Sequence, residues 1–353
     1  MNRKNLLNML EALLPITGQT ALMDEATCFR FSDNEIRVMD GKTMAIATLA
    51  EPHGLDCLIP AKKLVSWIKS VNDDDIRLTQ SEDGNHVEAV GSRSKVKYGV
   101  TREGQHLDNL DFDVEDWKPV AKGMIDAVAA VRFAASSDAS RGPLRGIKVG
   151  SDHCVASDGP RIVAGYWRAE DGSGVGQDLI LSADAADILA KHSDEVDAWA
   201  IKGSVVYFRL TTGIVIGSAI VTGDYPPAEA FLDKATELDM ELSFPTAILT
   251  SISRSISQQD DVPDQDREVR IRAEGKELIV ETFATAMLED HIDLDREVSR
   301  KFAFRIHPSL LAGILSRDSV MRYGDKDYVS FGGQSIPEGK DFTTMYLASV
   351  ERM

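Results

Sequence analysis

The sequence lacks the runs and residue types that mark membrane-spanning, disulfide-bonded and zinc-binding proteins. No stretch of about 18 consecutive apolar residues occurs, which is the length that a membrane-spanning helix needs, so we expect no membrane partner. The chain has only three cysteines, Cys28, Cys57 and Cys154, which stand far apart. Such a sparse and odd set argues against a disulfide framework and is typical of a reducing cytoplasm, where we expect the protein to lie.

The sequence also lacks the motifs of the common enzyme classes. It has no G-x-x-x-x-G-K-[ST] phosphate loop, no G-x-S-x-G elbow, and no H-E-x-x-H pair among its seven histidines. The glycine-rich segment 171–176 is interpreted as a hairpin or loop, and His153 as part of a turn. The aspartates at 73–75 are compatible with a divalent cation but are more typical of a solvated turn. We therefore predict no catalytic residue, no metal and no cofactor.

The balance of charge is acidic, with 57 Asp and Glu against 39 Lys and Arg, for a formal net charge of −18. A basic stripe is the usual footprint of a protein that binds nucleic acid, so this sum favours a protein that never meets DNA. Net charge, however, governs solubility and the far field rather than the local field inside a channel. The position of the basic residues therefore matters more than their number.

A pattern of apolar strand, Ser or Pro, and short amphipathic helix recurs three times along the chain. It begins at CLIPAKKLVSWIKS, at LILSADAADILAKHS and at AFRIHPSLLAGILS, and Pro60, Ser182 and His307 align with spacings of 122 and 125 residues. A second amphipathic helix precedes each of them, at 2–14, 122–136 and 245–257. The alternative is a coincidence between ordinary amphipathic helices, but two markers with nearly one period indicate internal repeats.

The remaining segments have the alternation and turn residues of strands. Val205–Leu210 and 214–219 predict one hairpin, 268–273 and 276–283 predict another, and 75–80, 86–90 and 94–100 predict a meander. Each third therefore runs helix, strands, helix, strands, which indicates an α+β fold of three repeated modules, each with two helices on antiparallel sheet. We place the modules at 1–118, 119–236 and 237–353.

The outward faces of the predicted helices are small, hydroxylated or basic. On 245–257, for example, Ile248, Ile252 and Ile256 are expected inward, and Ser251 and Arg254 outward. Such faces suit loose, sequence-independent contact with phosphates, although a merely solvated face explains any one lysine as well. The helix after Ser182 weakens the pattern, since Asp184 and Asp187 accompany its lysine. The predicted DNA-contacting residues are Arg3, Lys4, Lys62, Lys63, Lys69, Arg132, Lys191, Arg254 and Arg317.

Several segments, in order along the whole chain, resemble the bacterial DNA polymerase III beta subunit, the sliding clamp. GPLRGIKVGSDHCVASDGPRIVAGYW, from Gly142, is similar to that family's L-x-G-I stretch followed by A-T-D-G-H-R-L. GDYPPAEAF, from Gly223, resembles its G-x-F-P-D-Y motif. IPAKKLVSWIKSV and FAFRIHPSLLAGIL resemble helices of the first and third domains, and YLASVERM stands where the family ends in an M-P-M-R-L-like tail.

The resemblance implies a sliding clamp, a processivity factor without enzymatic activity. In the family, two crescent subunits pair head to tail, first domain to third, and close a ring around duplex DNA with helices lining the hole. The implied partners are double-stranded DNA of any sequence, the replicative polymerase, the clamp loader and a second copy of the chain. A closed ring also reconciles an acidic protein with DNA, because enclosure replaces tight affinity.

The resemblance also implies a cleft that holds short peptides of polymerase and loader subunits between the second and third domains. An apolar cleft with a few polar groups suits an extended peptide. Carried over residue by residue, it would include Leu144, Ser157, Gly159, Pro160, Arg161, Ile162, Pro226, Phe231, Leu347, Ala348, Ser349 and Val350.

The chain departs from the family pattern inside this cleft. Pro160 replaces the usual His, which removes a side-chain donor, and Pro227 and Ala228 replace an Asp-Tyr pair. Residues 348–351 replace a Met-Pro-Met-Arg run, and the segment after the first helix is shortened. These departures favour a divergent clamp with an altered peptide preference, with a phage or mobile element as one candidate origin. The alternatives are an adaptor that keeps the fold without encircling DNA, and an enzyme whose site goes unrecognised.

Overall fold

The computed structural model describes residues 1–18, 24–101, 105–169, 178–284 and 287–353. The glycine-rich segment 171–176, predicted as a hairpin or loop, lies outside these residues. Among the described residues, no helix is both long and apolar enough to cross a membrane.

Eight α-helices occur in this part of the chain. Six of them lie where the sequence predicts amphipathic helices, and the two short ones, α3 and α6, were not predicted. The helices are α1 Arg3–Leu13, α2 Ala61–Ser70, α3 Gln105–Asp108, α4 Met124–Val131, α5 Ala183–Ala190, α6 Glu229–Lys234, α7 Ala247–Ser257 and α8 Pro308–Leu315.

The strands of the described residues pair only antiparallel, and both predicted hairpins and the predicted meander are present. In chain order they are β1 Cys28–Ser32, β2 Glu35–Met39, β3 Thr43–Thr48, β4 Cys57–Pro60, β5 Arg77–Gln80, β6 His86–Val90, β7 Lys95–Gly99, β8 Lys118–Pro119, β9 Gly146–Val149, β10 His153–Ser157, β11 Arg161–Trp167, β12 Leu179–Ser182, β13 Val196–Lys202, β14 Val205–Leu210, β15 Val215–Ala219, β16 Met240–Ser243, β17 Val269–Glu274, β18 Glu277–Phe283, β19 Met287–Asp293, β20 Phe302–Ile306, β21 Val320–Tyr323, β22 Tyr328–Gly332, β23 Phe342–Ser349 and β24 Glu351–Arg352.

The same succession of elements occurs three times in the chain. Leaving aside the short α3 and α6 and the short strands β8, β16 and β24, each repeat has a helix, four strands, a second helix and three further strands. The four strands are ordered alike each time, as β4-β1-β2-β3, β12-β9-β10-β11 and β20-β17-β18-β19. The fold is therefore α+β and built from three repeats, as the sequence predicts.

The chain divides into two compact units. The first contains Met1–Val120 and Asp184–Val221. Its eight-stranded sheet has the order β4-β1-β2-β3-β15-β14-β13-β8, and a separate sheet has the order β5-β6-β7. Helices α1 and α2 pack against each other, with Leu6, Leu10, Leu64 and Ile68 fully buried. Burial of such side chains stabilises by about 1.5–3 kcal/mol each, which explains why the predicted apolar stripes hold.

The second unit contains residues 121–169, 178–183 and 222–353 of the described chain. It has an eight-stranded sheet of order β12-β9-β10-β11-β23-β22-β21-β16 and a five-stranded sheet of order β19-β18-β17-β20-β24. Helix α4 lies on β10, β11 and β23. Gly165 on β11 permits this approach, because a Cβ there would lie 3.0 Å from the Cβ of Ala127.

Within α7 the predicted outward position of Ser251 is wrong. Ser251 is buried, as is Ser255, which forms a hydrogen bond with Thr282, whereas Ile256 is only half-buried. The covered stripe thus runs at i, i+3, i+4 and i+7 from Ile248 rather than along the isoleucines alone. The reason is that α7 packs on both α8 and the β18–β19 hairpin, which cover a wider face.

The predicted module boundaries fall on ordered elements. The first, at 118, coincides with β8, which pairs with β13 of the same sheet. The second, at 236, lies in the 3₁₀ turn Ala235–Glu237 directly after α6. The exact division into three modules stays a prediction.

Candidate partner-binding cleft and cationic helix faces

A cleft of about 360 Å³ opens on the second unit, near the low end of the size range of ligand sites. Four elements supply its walls: a 3₁₀ segment at Ala139–Arg145, the β10–β11 turn, the segment that leads into α6, and the β22–β23 pair. Its lining residues are Leu144, Ser157, Gly159, Pro160, Ile162, Tyr225, Pro226, Ala228, Phe231, Asp327, Tyr328, Leu347 and Ser349.

Nine of the twelve residues predicted to form a peptide cleft line this one opening. The three others lie elsewhere: Ala348 and Val350 are buried, and the guanidinium of Arg161 donates to the carbonyl of Phe133 at 2.8 Å. Ala348 misses the cleft because side chains alternate across a strand, so its neighbours Leu347 and Ser349 point to the opposite face. The position of these residues says nothing by itself about a peptide, and that role stays a prediction.

The β10–β11 turn is held by its own side chains. The Ser157 hydroxyl donates to the Arg161 carbonyl at 2.7 Å and accepts from the Gly159 amide at 3.1 Å. Asp158 accepts from the Arg161 amide at 3.2 Å. Gly159 has φ of 101°, which an L side chain rarely adopts, so the Ser-Asp-Gly-Pro sequence is both a tight turn and one wall of the cleft.

Helix α6 is amphipathic over barely two turns, and this orientation exposes Phe231. Ala228, Leu232 and Ala235 are buried in a cluster with residues of β10, β11 and β23, such as Met345. Phe231 points the other way and is 49% exposed, one of few large apolar side chains so placed among the described residues. An exposed aromatic beside an apolar opening is typical of a contact surface.

An ion-pair cluster fixes the start of α6 to the sheet beneath it. Lys148 Nζ lies 2.6 Å from Glu229 Oε1 and 3.0 Å from Asp178 Oδ2. Burial is the largest single influence and raises the pKa of Glu229, but the hydrogen bond from Lys148, a backbone hydrogen bond and the attraction of Lys148 and His153 together hold the pKa below its usual value. The cleft wall is therefore anchored electrostatically as well as by packing.

Two tyrosines, Ala228 and one aspartate line the cleft but were not in the predicted set. Tyr225 and Ala228 lie inside the G-D-Y-P-P-A-E-A-F motif, so the motif could have indicated them. Tyr328 begins β22 and Asp327 directly precedes it, far along the chain, and no sequence pattern connects them with the motif. Tyr328 Oη donates to the carbonyl of Lys234 at 3.1 Å, which joins this edge of the cleft to the end of α6. Burial raises the pKa of Tyr225.

The cations predicted to contact DNA divide into two groups. Lys4, Lys62, Lys63 and Lys191 are exposed on or beside their helices, and the three lysines of α2 share its outer face with no acidic residue among them. The others also serve the fold: Lys69 lies 2.7 Å from Glu11 and Arg254 lies 3.2 Å from Asp290. Arg132, directly after α4, is half-buried.

Arg3 and Arg317 are the clearest structural cations of that set. Arg3 Nε donates to the Asp73 carbonyl at 2.7 Å, and its Nη1 donates to the Ile68 carbonyl near the end of α2 at 3.3 Å. The Arg317 guanidinium lies 3.8 Å from the ring centroid of Phe133, and that of Arg161 lies 4.8 Å from the same centroid. Phe133 thus contacts two cations, which together couple elements from separate repeats within the second unit.

The aspartates at 73–75 are engaged in the turn between α2 and β5. The Arg3 amide donates to the Asp74 carbonyl at 2.9 Å, and Ser92 donates to the carboxylate of Asp73. The backbone of Asp75 forms an antiparallel β-bridge with that of Asn2. In the part of the chain that the structure describes, no group of three or more His, Cys, Asp and Glu side chains could hold a metal ion.

Solved structures of the same architecture span the whole chain. They include the DNA polymerase beta subunit of Streptococcus pyogenes, with a TM-score of 0.82 and 16% identity, and the DNA polymerase sliding clamp of Caulobacter crescentus, with 0.81 and 15%. The DNA polymerase III subunit beta of Pseudomonas aeruginosa gives 0.78 and 14%. In all three the match covers 100% of this chain and 99% of the other.

The chain has the fold of the beta sliding clamps. No protein-family model and no curated protein matches its sequence. Identities of 14–16% show the fold alone. Its functional surfaces must therefore be argued from its own side chains.

Proposed function

We propose that the protein is a non-enzymatic DNA sliding clamp, in which copies joined head to tail enclose duplex DNA and tether a polymerase and other partners. The observation that carries the proposal is an incomplete pattern of strand pairing. In the first repeat β3 pairs with β15, the last of the three strands after the second helix of the second repeat. In the second repeat β11 pairs with β23, the equivalent strand of the third. The equivalent strands that remain are β19 and β7, and each stands at the end of its sheet.

Pairing of β19 with β7 of another copy completes this pattern. It joins β20-β17-β18-β19 to β7-β6-β5 in the order that the two eight-stranded sheets already have. A long unpaired edge is a template for another strand, and natural proteins seldom leave one uncovered. Because β7 and β19 belong to different repeats, the contact between copies is heterologous, and such contacts close into a ring when the rotation allows it.

The charges on the two edges are complementary. Lys95 and Lys97 are exposed on β7, whereas Glu289 and Asp293 are exposed on β19. Opposite charges on paired strands stabilise by roughly 0.2–1 kcal/mol each, and like charges on identical edges oppose pairing of β7 with β7 or β19 with β19. This arrangement supports a head-to-tail contact over a symmetric one.

Contacts with DNA need only be weak if the ring encloses it. Lys62 and Lys63 on α2, with Lys4 and Lys191, are the exposed cations for phosphate contacts, which carry no sequence information and weaken with salt. The cleft on the second unit would then hold short segments of the polymerase and of a loader. Enclosure supplies retention, and the cleft supplies the tether.

Retention on closed and open DNA tests the proposal. Protein diluted to the monomer is concentrated with nicked circular duplex, so that rings close around the DNA, and free protein is removed by gel filtration. We expect the protein to stay with the circle and to be released after a single restriction cut, at the same salt concentration. Equal retention on circular and linear DNA would contradict enclosure.

A clamp-fold adaptor that binds replication proteins without encircling DNA is the second candidate. It is favoured by the engagement of Arg3, Lys69, Arg254 and Arg317 in contacts within the fold. An adaptor would be monomeric, and its function would not change when Lys62, Lys63 and Lys69 are replaced by Gln. In a clamp, the same triple variant lowers the affinity for linear duplex at low salt.

A further inference from the structure

The cleft on the second unit combines an apolar surface with a single charged side chain. Leu144, Ile162, Pro226 and Leu347 contribute apolar surface, and the exposed ring of Phe231 stands at one side. Asp327 is the one charged residue among those that line it. An occupant must therefore cover apolar surface and also satisfy or avoid one carboxylate.

The Asp327 carboxylate has no cationic partner among the described residues, although its neighbours do. Lys326 Nζ lies 3.0 Å from Glu237 Oε2, and Asp325 lies 2.6 Å from Arg300 and 3.3 Å from Arg352. At Asp327 only the backbone is engaged, since its carbonyl accepts from the Val350 amide at 3.0 Å. Lys326, Arg300 and Arg352 are thus paired with other carboxylates.

Two cations beside cleft-lining residues make contacts of their own. Lys234 lies over the ring of Phe231, 5.3 Å from its centroid, and Arg141 donates to the Asp158 carbonyl at 2.7 Å behind Gly159. Neither forms an ion pair with Asp327. When an apolar ligand fills the cleft it displaces water from the rim, which raises the cost of leaving Asp327 unpaired and strengthens its attraction to a cation.

We propose that, among the short apolar peptide segments that this cleft would hold, it selects those with a lysine or arginine that pairs with Asp327. This inference rests on the proposed function, in which the cleft tethers partners, and adds the charge of the segment that it selects. The volume of about 360 Å³ suits a few side chains rather than a folded domain. Acidic segments are disfavoured twice, by Asp327 and by the net charge of −18.

Binding of a scanned peptide set tests the inference. The probes are fluorescein-labelled hexapeptides with a central Leu-Phe pair, in which Lys, Gln or Glu is placed in turn at each of the four other positions, and the readout is fluorescence anisotropy with the full chain. We expect at least one position at which Lys binds about two- to fivefold more tightly than Gln, and Glu more weakly, with the preference lost at high salt.

Variants assign that preference to one carboxylate. Asp327→Asn should abolish the difference between Lys and Gln peptides, and Asp327→Lys should reverse the order in favour of Glu. Asp295→Asn is the matched control, because this exposed carboxylate lies outside the cleft. Thermal melting of each variant shows whether it is folded. A Lys preference that survives in Asp327→Asn, or no preference at any position, would overturn the inference.

The test separates this inference from the function beneath it. Phe231→Ala should weaken every peptide alike, which marks the cleft as the binding site whatever the charge preference. Peptides that bind in this manner but without regard to charge refute the inference and leave the tethering cleft intact. If no peptide binds at all, both the tethering role of the cleft and this inference are refuted. Retention on circular DNA still tests the ring independently.

Discussion

At the scale of residues, two adjacent cations of α1 have different roles. Arg3 donates to two backbone carbonyls near the end of α2, whereas Lys4 is exposed beside it. A hydrogen bond from a charged group contributes more than a neutral one, and its loss leaves the acceptors to water. Arg3 therefore belongs to the fold, and Lys4 remains available for a phosphate.

We expect Arg3→Ala to lower the free energy of unfolding by about 1–2 kcal/mol, measured by urea denaturation. Lys4→Ala, its matched control, should change that free energy by less than about 0.5 kcal/mol. Lys4→Ala should instead measurably lower the affinity for linear duplex DNA at low salt. Equal destabilisation by the two substitutions would mean that the contacts of Arg3 contribute nothing specific.

At the scale of elements, α6 depends on both its buried face and its first acidic residue. Ala228, Leu232 and Ala235 set which way the helix faces, and Glu229 fastens its start to Lys148 on β9. Because the folded-state pKa of Glu229 is lowered, its stabilising contribution is present above its unfolded pKa of about 4.3. That contribution is lost as the pH falls through the folded-state pKa.

The stability difference between the wild type and Glu229→Gln should accordingly be largest near neutral pH and should shrink below about pH 4. Urea denaturation at several pH values measures it. Glu237→Gln serves for comparison, because Glu237 pairs with the more exposed Lys326 at 3.0 Å and should give a smaller difference. A difference for Glu229→Gln that does not depend on pH would rule out the ion pair as the anchor of α6.

At the scale of the whole molecule, the two unpaired edges predict how copies assemble. A variant with Lys95→Glu and Lys97→Glu should place like charges at both contacts of a head-to-tail pair and be monomeric in light scattering. The same holds for Glu289→Lys with Asp293→Lys. Mixing the two variants places opposite charges at both contacts again, so we expect the mixture alone to recover the mass of the closed assembly.

Reversal of Lys62 and Lys63 on α2, which lie outside both edges, should leave the mass unchanged. Lys95 also lies 2.8 Å from Glu88 within the chain, so its reversal removes an internal ion pair and could unfold the protein. Circular dichroism shows whether a variant of monomeric mass is still folded. If each variant alone keeps the mass of the wild-type assembly, the copies meet through another surface.

Local patterns in the sequence were enough to predict six of the eight helices, the hairpins and the threefold repeat. Apolar periodicity and turn residues act over a few positions, so Leu6, Leu10, Leu64 and Ile68 are buried as their spacing requires. Most of the cleft-lining residues were predicted as well, but only through the resemblance to the clamp family, since local pattern by itself predicts no more than a tight turn at Ser157 to Pro160. The helices and hairpins hold without knowledge of what lies across the fold.

Only the tertiary structure decided which surface each residue faces and which charges remain unpaired. Ser251 is buried because two elements pack over α7, and Asp327 lines the cleft from the bend before β22, which no motif connects to it. Likewise, the sequence predicts Arg3 and Arg317 as surface cations. In the structure, Arg3 donates to a distant backbone carbonyl and Arg317 lies over the ring of Phe133. Long-range packing and ion pairing join residues far apart in the chain, and no local pattern encodes those partners.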